Sequence, residues 1–332
     1  MSRAAVVCGV GSYLPPNLVS NEELAARVGS SDEWIRSRTG ITQRYFATTG
    51  MATSDLAVEA GARALKSSGD SSVDSVVLAT ATPDHPSPAT APLIATKLGL
   101  TGVGAYDLAA VCSGFVYALA SAAGMIAIGA ADRVLVIGAD TYSSVLDFQD
   151  RTTSVIFGDG AGAVVLRAGD AEEPGALGPF DLGSDGEGSH MITVRAPGSR
   201  QRLSGVPAEP RDQYFYMEGK EVFWRAVQRM AESTKAVLAQ AGWSSDDVDW
   251  LFSHQANLRI QHSLADVLTI SRGHVFSNIA EVGNTAAASV PLALDQAHST
   301  GVLKAGDRVL LTAFGGGLSW GSTLLRWPVL PL

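Results

Sequence analysis

Four short motifs carry residue types that can do chemistry, and each lies where an apolar, strand-like run ends. Cys112 follows GAYDLAAV, and His254 comes just after VDWLF. Asn284 lies in GNTAAAS, and the turn FGGG at 314–317 follows RVLLTA. Because sheets covered by helices place their active sites at the carboxyl ends of strands, the four motifs are expected to meet. A thiol, an imidazole, a carboxamide and a glycine-rich turn together favour covalent catalysis with stabilisation of negative charge.

Cys112 is the candidate nucleophile. A strand-to-helix corner places its thiol over unpaired backbone N–H groups, at the positive end of the helix dipole. Both effects favour the thiolate, which is the reactive form. The position alone leaves another interpretation open, since most free cysteines are small buried apolar residues.

The other three motifs have structural interpretations of their own. A histidine at a strand end is often structural, and Asn284 could cap a helix. Three glycines can form a flexible turn, or can expose backbone N–H groups toward an oxyanion. The combination of all four favours catalysis over four separate structural roles.

The chain also repeats itself. ALKSSGDSSVDSVVL at 64–78 resembles VLAQAGWSSDDVDWL at 237–251, and AADRVLVIGAD at 130–140 resembles AGDRVLLTAFG at 305–315. Asp74 pairs with Asp249 and Asp132 with Asp307, and both pairs have the same separation along the chain, which we call the repeat offset. We predict two similar halves, 1–170 and 171–332, related by a pseudo-twofold axis. The position equivalent to Cys112 in the second half is residue 287, within the Asn284 motif. The two helix N-termini, one at Cys112 and one near Asn284, should therefore meet.

Each half alternates strand and helix patterns, which predicts parallel sheets covered by helices. The segment from about 185 to 215 interrupts this alternation. It is rich in Gly, Pro, Ser and Arg, and we predict an inserted loop or cap over a site.

The composition narrows the class of protein. The chain is 46% hydrophobic and 17% charged, as expected of a globular protein, and its net charge of −9 argues against nucleic-acid binding. A local basic patch for a phosphorylated cofactor or an acidic carrier protein is still compatible with that charge. The sequence predicts a soluble cytoplasmic protein. It has only two cysteines, and it has neither a signal peptide nor an apolar run long enough to span a membrane.

Seven motifs, in this order, resemble the β-ketoacyl-acyl carrier protein synthase III family of the thiolase superfamily. They are GVGSYLPP, SSDEWIRSRTGI, AVCSGF, FGDGAGAVV, SHQANLRI, GNTAAAS and FGGGLSWGS. The resemblance covers essentially the whole chain. It implies an α/β thiolase fold, in which duplicated βαβαβαββ halves form a five-layer α-β-α-β-α sandwich, and it implies a homodimer.

The activity implied by this resemblance is a decarboxylative Claisen condensation of an acyl-CoA primer with malonyl-acyl carrier protein. Cys112 would take the acyl group while the backbone N–H groups of Cys112 and Gly316 bind the thioester oxygen. His254 and Asn284 would then donate hydrogen bonds to the malonyl thioester as CO2 leaves and an enolate forms. The family pattern requires no metal and no cofactor, because acyl-CoA is a substrate.

The resemblance also implies binding residues. Trp34 and Arg151 match positions that sandwich the CoA adenine, a stacking and cation–π arrangement. The remaining matches are Arg38, Thr39 and Asn257 in the CoA channel, Phe314 beside the nucleophile, and Arg259 as a contact for the acidic carrier protein.

Some positions depart from the family pattern. Ser113, Ser253 and Ala286 replace residues that are common in other members. Trp224 stands where some relatives have a basic carrier-protein contact, which puts that contact in doubt. Ser87 lies in the segment expected to close the partner's acyl pocket, where acetyl-selective relatives have a larger aromatic residue. We therefore hypothesise that primers longer than acetyl are accepted.

Three other classes of protein are alternatives to a condensing enzyme. A classical thiolase needs a second cysteine near the C-terminal glycine turn, and residues 314–321 contain none. An acyltransferase on the same scaffold, which moves an acyl group from CoA to a carrier protein, hydroxyl or amine, is the main alternative. A non-catalytic scaffold subunit is disfavoured by the presence of Cys112. FGDGAGAVV lacks the spacing of a phosphate-binding loop and is assigned to structure near the pocket.

Overall fold

The computed structural model describes residues 3–331, which form two large sheets with helices between and outside them. The strands are β1 (Ala4–Tyr13), β2 (Asn17–Ser20), β3 (Gln43–Phe46), β4 (Ser75–Ala79), β5 (Gly104–Leu108), β6 (Arg133–Asp140), β7 (Gly160–Gly169), β8 (Phe180–Ser184), β9 (Ile192–Val194), β10 (Phe215–Met217), β11 (Trp250–Ser253), β12 (Arg308–Gly315) and β13 (Ser319–Arg326). The α-helices are α1 (Asn21–Val28), α2 (Asp32–Thr39), α3 (Thr53–Ser67), α4 (Ala91–Lys97), α5 (Gly114–Ala127), α6 (Ser199–Arg202), α7 (Gly219–Ala241), α8 (Leu258–Leu268), α9 (Ile279–Val282) and α10 (Ser289–Ser299).

Both large sheets are mixed, so the prediction of parallel sheets was wrong for β7 and β13, which run antiparallel to both of their neighbours. The first sheet has the order β1-β7-β6-β4-β5, in which β4 is parallel to β5 and β6 while β7 is antiparallel to β1 and β6. The second has the order β11-β12-β13-β8, with only β11 and β12 parallel. The connection from β12 to β13 is the short turn 316–318, and a turn this short can join only antiparallel strands.

The two sheets are built from successive parts of the chain and match at the repeat offset. Strands of the first sheet lie within residues 4–169 and those of the second within 180–326. β6 and β12 have the same length, and their first residues are separated by the repeat offset, as are those of α5 and α10. Asp74 accepts a hydrogen bond from the Arg133 N–H at 2.9 Å, and Asp249 accepts the equivalent bond from the Arg308 N–H at 2.7 Å.

Helices α5 and α10 lie between the sheets. Leu119 and Ala122 of α5, with Ala293 of α10, belong to one buried cluster that reaches Val136 in the first sheet and Leu311 in the second. The small side chains of α5 allow this close approach. α3 packs on the outer face of the first sheet and α7, together with α8, on that of the second, which completes the α-β-α-β-α layers.

The segment 185–215 is more ordered than the predicted loop. It includes the short helix α6 and strand β9, which pairs with β10 in an antiparallel hairpin. Alternating apolar residues of this hairpin face inward, so it forms a cap of defined structure. Among residues 3–331, no helix combines the length and apolar character needed to cross a bilayer.

Candidate active site

Three of the predicted site residues line one narrow cavity of about 40 Å³: Cys112, His254 and Asn284. All three are buried. Phe314 and Gly315, at the end of β12, complete this wall. The rest of the lining is apolar and comes from the start of FGDGAGAVV, from the cap, from α7 and from the region around the start of α8: Phe157, Ile192, Phe215, Met217, Val222, Ala226, Met230, Ala256 and Ile260. The fold therefore brings the four motifs together. Three of them lie at or just after the ends of β5, β11 and β12, but Asn284 follows helix α9, so the expectation that it lies at a strand end was wrong.

Cys112 lies in a single 3-10 turn, Val111–Ser113, immediately before α5. The Ser113 hydroxyl donates to the Ala110 carbonyl at 2.8 Å and so fixes the turn. Burial raises the pKa of the Cys112 thiol well above its usual value, and the negative charge of Asp140 raises it further. The sequence predicted that the helix start favours the thiolate; the backbone N–H there does lower the pKa, but desolvation of the charged form outweighs it.

His254 follows β11, and its ring is held by Ser289, the last residue of GNTAAAS. The His254 N–H donates to the Thr312 carbonyl at 2.8 Å, and Nδ1 lies 2.7 Å from Ser289 Oγ. Ser289 Oγ also accepts from the Gln255 N–H at 3.4 Å. Within residues 3–331, Nδ1 is the only acceptor the hydroxyl proton has, which places the ring proton on Nε2. Burial lowers the pKa of His254 to about 3, so the ring is a neutral donor.

Two backbone hydrogen bonds hold Asn284 in place, and a third hydrogen bond orients its side chain. Its N–H donates to the Ile156 carbonyl and its own carbonyl accepts from the Gly158 N–H, both at 2.9 Å. The segment FGDGAGAVV thus supports the site, as the sequence predicted. Asn284 Oδ1 accepts from the Ala286 N–H at 2.9 Å. Because a backbone N–H can only donate, this bond identifies the oxygen and leaves Nδ2 without a partner among the described residues.

The backbone N–H groups predicted to bind the thioester oxygen, those of Cys112 and Gly316, are also available. Gly315 lies so close to the nucleophile that a Cβ there would stand 2.7 Å from the Cys112 nitrogen. In the hydrogen bonds of residues 3–331, neither the Cys112 N–H nor the Gly316 N–H has an acceptor. Ser319 Oγ donates to the Gly316 carbonyl at 3.0 Å, which holds the glycine turn. Gly316 itself lines a neighbouring cavity together with Val111.

A channel leads from the Cys112 cavity to the surface. Asn284 and Met217 belong to both the Cys112 cavity and a space of about 320 Å³ above it. That space is lined by Trp34, Arg38, Thr39 and Asn257, among others. It opens into an outer cleft of about 520 Å³, lined by Arg38, Gly219, Lys220, Phe223, Trp224, Asn257 and Arg259. The outer cleft is therefore basic, in a chain whose net charge is −9.

At the channel wall, two arginines lie close to the ring of Trp34. The guanidinium carbons of Arg38 and Arg151 are 5.9 and 5.7 Å from the centre of its ring, within cation–π range. The Thr39 hydroxyl donates to the Ile35 carbonyl at 2.6 Å.

Asn257 both lines the channel and holds its wall. It caps α8 by accepting from the Arg259 N–H at 2.9 Å and donates to the Arg38 carbonyl at 3.0 Å. Ser87 is exposed and lines none of these spaces.

Sequence reasoning missed Ser289 and Asp140. Ser289 was visible as the last residue of a quoted motif, but its bond to His254 spans 35 residues and needs the fold. Asp140 was visible as the last residue of the repeated segment AADRVLVIGAD, but its bond to the Ala287 N–H spans 147 residues and needs the fold.

Comparison with known proteins identifies the family. The pattern described as 3-Oxoacyl-[acyl-carrier-protein (ACP)] synthase III matches residues 106–186, and its C-terminal pattern matches 238–327. Beta-ketoacyl-[acyl-carrier-protein] synthase III 3 of Streptomyces coelicolor is 61% identical over 330 residues, which cover 99% of this chain and 98% of the relative. The synthase III of Pseudomonas aeruginosa is 52% identical over 328 residues, with coverage of 99% and 98%.

Solved structures agree with this assignment. The crystal structure of 3-oxoacyl-(acyl carrier protein) synthase III from Pseudomonas aeruginosa PAO1 superposes with a TM-score of 0.93 at 51% identity, covering 99% of this chain and 100% of that one. The priming β-ketosynthase of the R1128 polyketide biosynthetic pathway gives a TM-score of 0.92 at 35% identity, with coverage of 99% and 98%. The predicted thiolase fold is confirmed. This chain belongs to the β-ketoacyl-[acyl-carrier-protein] synthase III family.

Proposed function

We propose that this chain catalyses the decarboxylative condensation of an acyl-CoA primer with malonyl-acyl carrier protein, and so initiates fatty-acid or polyketide chains. One observation carries the proposal: Cys112, His254 and Asn284 line a single buried cavity at the end of a channel from the surface. Membership of the synthase III family supports it.

In the first step, the Cys112 sulfur attacks the acyl-CoA carbonyl. A bond forms between Cys112 Sγ and the acyl carbon, the bond to the CoA sulfur breaks, and CoA leaves as the thiol with the proton of Cys112. The unpaired N–H groups of Cys112 and Gly316 are suited to bind the thioester oxygen as it gains charge.

In the second step, malonyl-acyl carrier protein loses CO2 and the electron pair of the broken C–C bond forms an enolate. Nε2–H of His254 and Nδ2–H of Asn284 are oriented as neutral donors to the enolate oxygen. Donors of this kind are typically worth about 3–4 kcal/mol each. The enolate carbon then attacks the acyl carbon, and the Cys112 sulfur leaves and takes a proton from solvent.

The channel supports CoA as the acyl donor. Trp34 and the arginines beside it can hold the adenine ring of CoA by stacking and cation–π contacts, and the arginines can pair with the phosphates of CoA. Arg259 and Lys220 at the outer cleft suit an acidic carrier protein, although the exposed Trp224 supplies no charge there. An Arg259→Glu variant should raise the KM for malonyl-carrier protein and leave Cys112 acylation by acyl-CoA unchanged.

The primer, the dimer and the location are part of the proposal. In a homodimer, the exposed segment that holds Ser87 would close the partner subunit's acyl pocket, and its small side chain favours primers longer than acetyl. A panel of acyl-CoA primers tests this, and turnover with acetyl-CoA alone would contradict it. The two free cysteines suit a reducing cytoplasm.

Acceptor choice separates condensation from acyl transfer. The enzyme is loaded with acyl-CoA, freed of excess primer and divided among malonyl-carrier protein, unloaded carrier protein and a small alcohol or amine. Intact mass should show the Cys112 adduct, discharged only by malonyl-carrier protein. Discharge by the unloaded carrier, the alcohol or the amine would instead indicate an acyltransferase.

A further inference from the structure

Asp140, at the end of β6, is a fully buried carboxylate that the proposed chemistry does not use. Its Oδ1 accepts four hydrogen bonds, from the N–H groups of Ala81 (2.8 Å) and Thr82 (3.1 Å) and from the hydroxyls of Thr80 (3.1 Å) and Thr82 (2.9 Å). Oδ2 accepts one bond, from the Ala287 N–H at 2.9 Å. That single bond joins the end of a first-sheet strand to the turn that carries Asn284.

From Ala287 the connection runs directly to the carboxamide. The preceding N–H, that of Ala286, donates to Asn284 Oδ1 at 2.9 Å. Ala286 has a φ of 49°, a left-handed conformation that is unfavourable for a residue with a Cβ. A carboxylate that accepts the next N–H along the chain stabilises this turn. Asp140 is therefore linked to the Asn284 carboxamide through two consecutive backbone N–H groups.

A comparison of the two halves of the fold at the helix starts indicates the role of Asp140. At the repeat offset, Ala287 is the counterpart of Cys112 and Gly315 is the counterpart of Asp140. In one half a carboxylate accepts the N–H at the helix start. In the other half a glycine lies against the equivalent N–H, that of Cys112, which has no acceptor within residues 3–331. The backbone N–H at one helix start is therefore bonded to a carboxylate, and the equivalent N–H at the other can bind a substrate.

We propose that Asp140 is a positioning residue for the condensation step, which holds the Asn284 carboxamide through Ala287 and Ala286. The proposal rests on the proposed function above. Burial raises the pKa of Asp140 to about 6, so the carboxylate is ionised at neutral pH. Its charge also raises the pKa of the Cys112 thiol. The same group thus favours the second step of the reaction and opposes the first.

The Asp140→Asn variant separates these effects. The new amide has the shape of the carboxylate, and its oxygen can keep the four donors around Oδ1. Its NH2 group then faces the Ala287 N–H, and two donors cannot bond to each other. We expect condensation with malonyl-carrier protein to fall about tenfold to a hundredfold, the size of effect that misplacing a catalytic group produces. Acylation of Cys112 by acyl-CoA should keep the wild-type rate or exceed it.

Asp74→Asn is the matched control. Asp74 accepts the N–H groups of Asp132 and Arg133, at 2.7 and 2.9 Å, at the opposite end of the strand that carries Asp140. This variant also loses a carboxylate bonded to backbone N–H groups, but it should leave both steps unchanged. Product mass measures condensation, and intact protein mass against time measures acylation.

An equal loss of both steps in Asp140→Asn would show a merely structural role, and unchanged condensation would also overturn the proposal. If that variant fails to fold, Asp140→Glu keeps the charge and moves the carboxylate by one methylene. We expect it to acylate at the wild-type rate and to condense more slowly, and normal condensation would overturn the proposal. A wild-type enzyme that acylates but does not condense would contradict the proposed function instead.

Discussion

Val111 and Ala286 are equivalent positions of the two halves and share one left-handed backbone conformation, with φ values of 47° and 49°. Each begins a 3-10 turn that leads into a central helix, α5 or α10. Residues with a Cβ rarely adopt this conformation, and a β-branched valine least of all. The left-handed residue lies just before Cys112 in one half and two residues after Asn284 in the other. The duplicated backbone thus positions both the proposed nucleophile and the proposed donor to the enolate.

Removing the Asn284 donor should separate the two steps. In Asn284→Ala we expect Cys112 acylation by acyl-CoA to persist and condensation to fall about a hundredfold to a thousandfold, because only the enolate step uses Nδ2. Asn278→Ala is the control, since Asn278 is also buried but donates to Gln296 at 3.0 Å, away from the cavity. Equal loss of acylation in Asn284→Ala would contradict the assignment.

The Ser289 hydroxyl should affect the rate of condensation because it fixes which ring nitrogen of His254 carries the proton. Without its hydroxyl, Ser289→Ala allows the imidazole to carry its proton on Nδ1, where it cannot reach the substrate. Loss of one such bond is worth about 1–1.5 kcal/mol, so we expect kcat for condensation to fall about tenfold. Ser299→Ala, at the far end of the same helix, removes an exposed hydroxyl bonded to Gln296 and should have no effect. Wild-type condensation by Ser289→Ala would exclude this role for the hydroxyl.

Much of this arrangement could be predicted from the sequence, because strand ends and helix starts are encoded locally. The positions of Cys112 and His254 follow from apolar runs that end just before their motifs, whereas Asn284 follows helix α9. The resting state of the thiol could not be predicted, since it depends on burial and on Asp140, whose approach is set by tertiary contacts. The Ser289 bond and the antiparallel strand β7 also depend on packing between distant segments.

The buried imidazole should make stability depend on pH. Burial lowers the folded-state pKa of His254 to about 3, below about 6.5 in the unfolded chain. The stability from this group is present above about pH 6.5 and is lost as the pH falls, because only the unfolded chain takes the proton. The expected slope is up to about 1.4 kcal/mol per pH unit between about pH 6 and 4.

Urea unfolding at several pH values checks this, with His254→Gln as the comparison. The variant should lack the His254 part of the slope. Identical slopes in the two proteins would mean that the ring is not buried in its neutral form.

The Cys112 thiol should react slowly at neutral pH. Since its pKa is raised by burial and by Asp140, the thiolate fraction should grow about tenfold per pH unit and continue to grow through about pH 9. Alkylation by iodoacetamide in a Cys8→Ser background, followed by intact mass, measures Cys112 alone. A rate that levels off near neutral pH would instead show a thiolate stabilised by the helix start.

The most direct test is the reaction itself, run with an acyl-CoA and malonyl-carrier protein labelled with ¹³C in the free carboxyl group. We predict that the wild-type protein forms a carrier product longer by the acyl group, releases all of the label as CO2, and that Cys112→Ala forms no such product. A ketoester made by Cys112→Ala, or a wild-type enzyme that transfers the acyl group without releasing labelled CO2, would contradict the account.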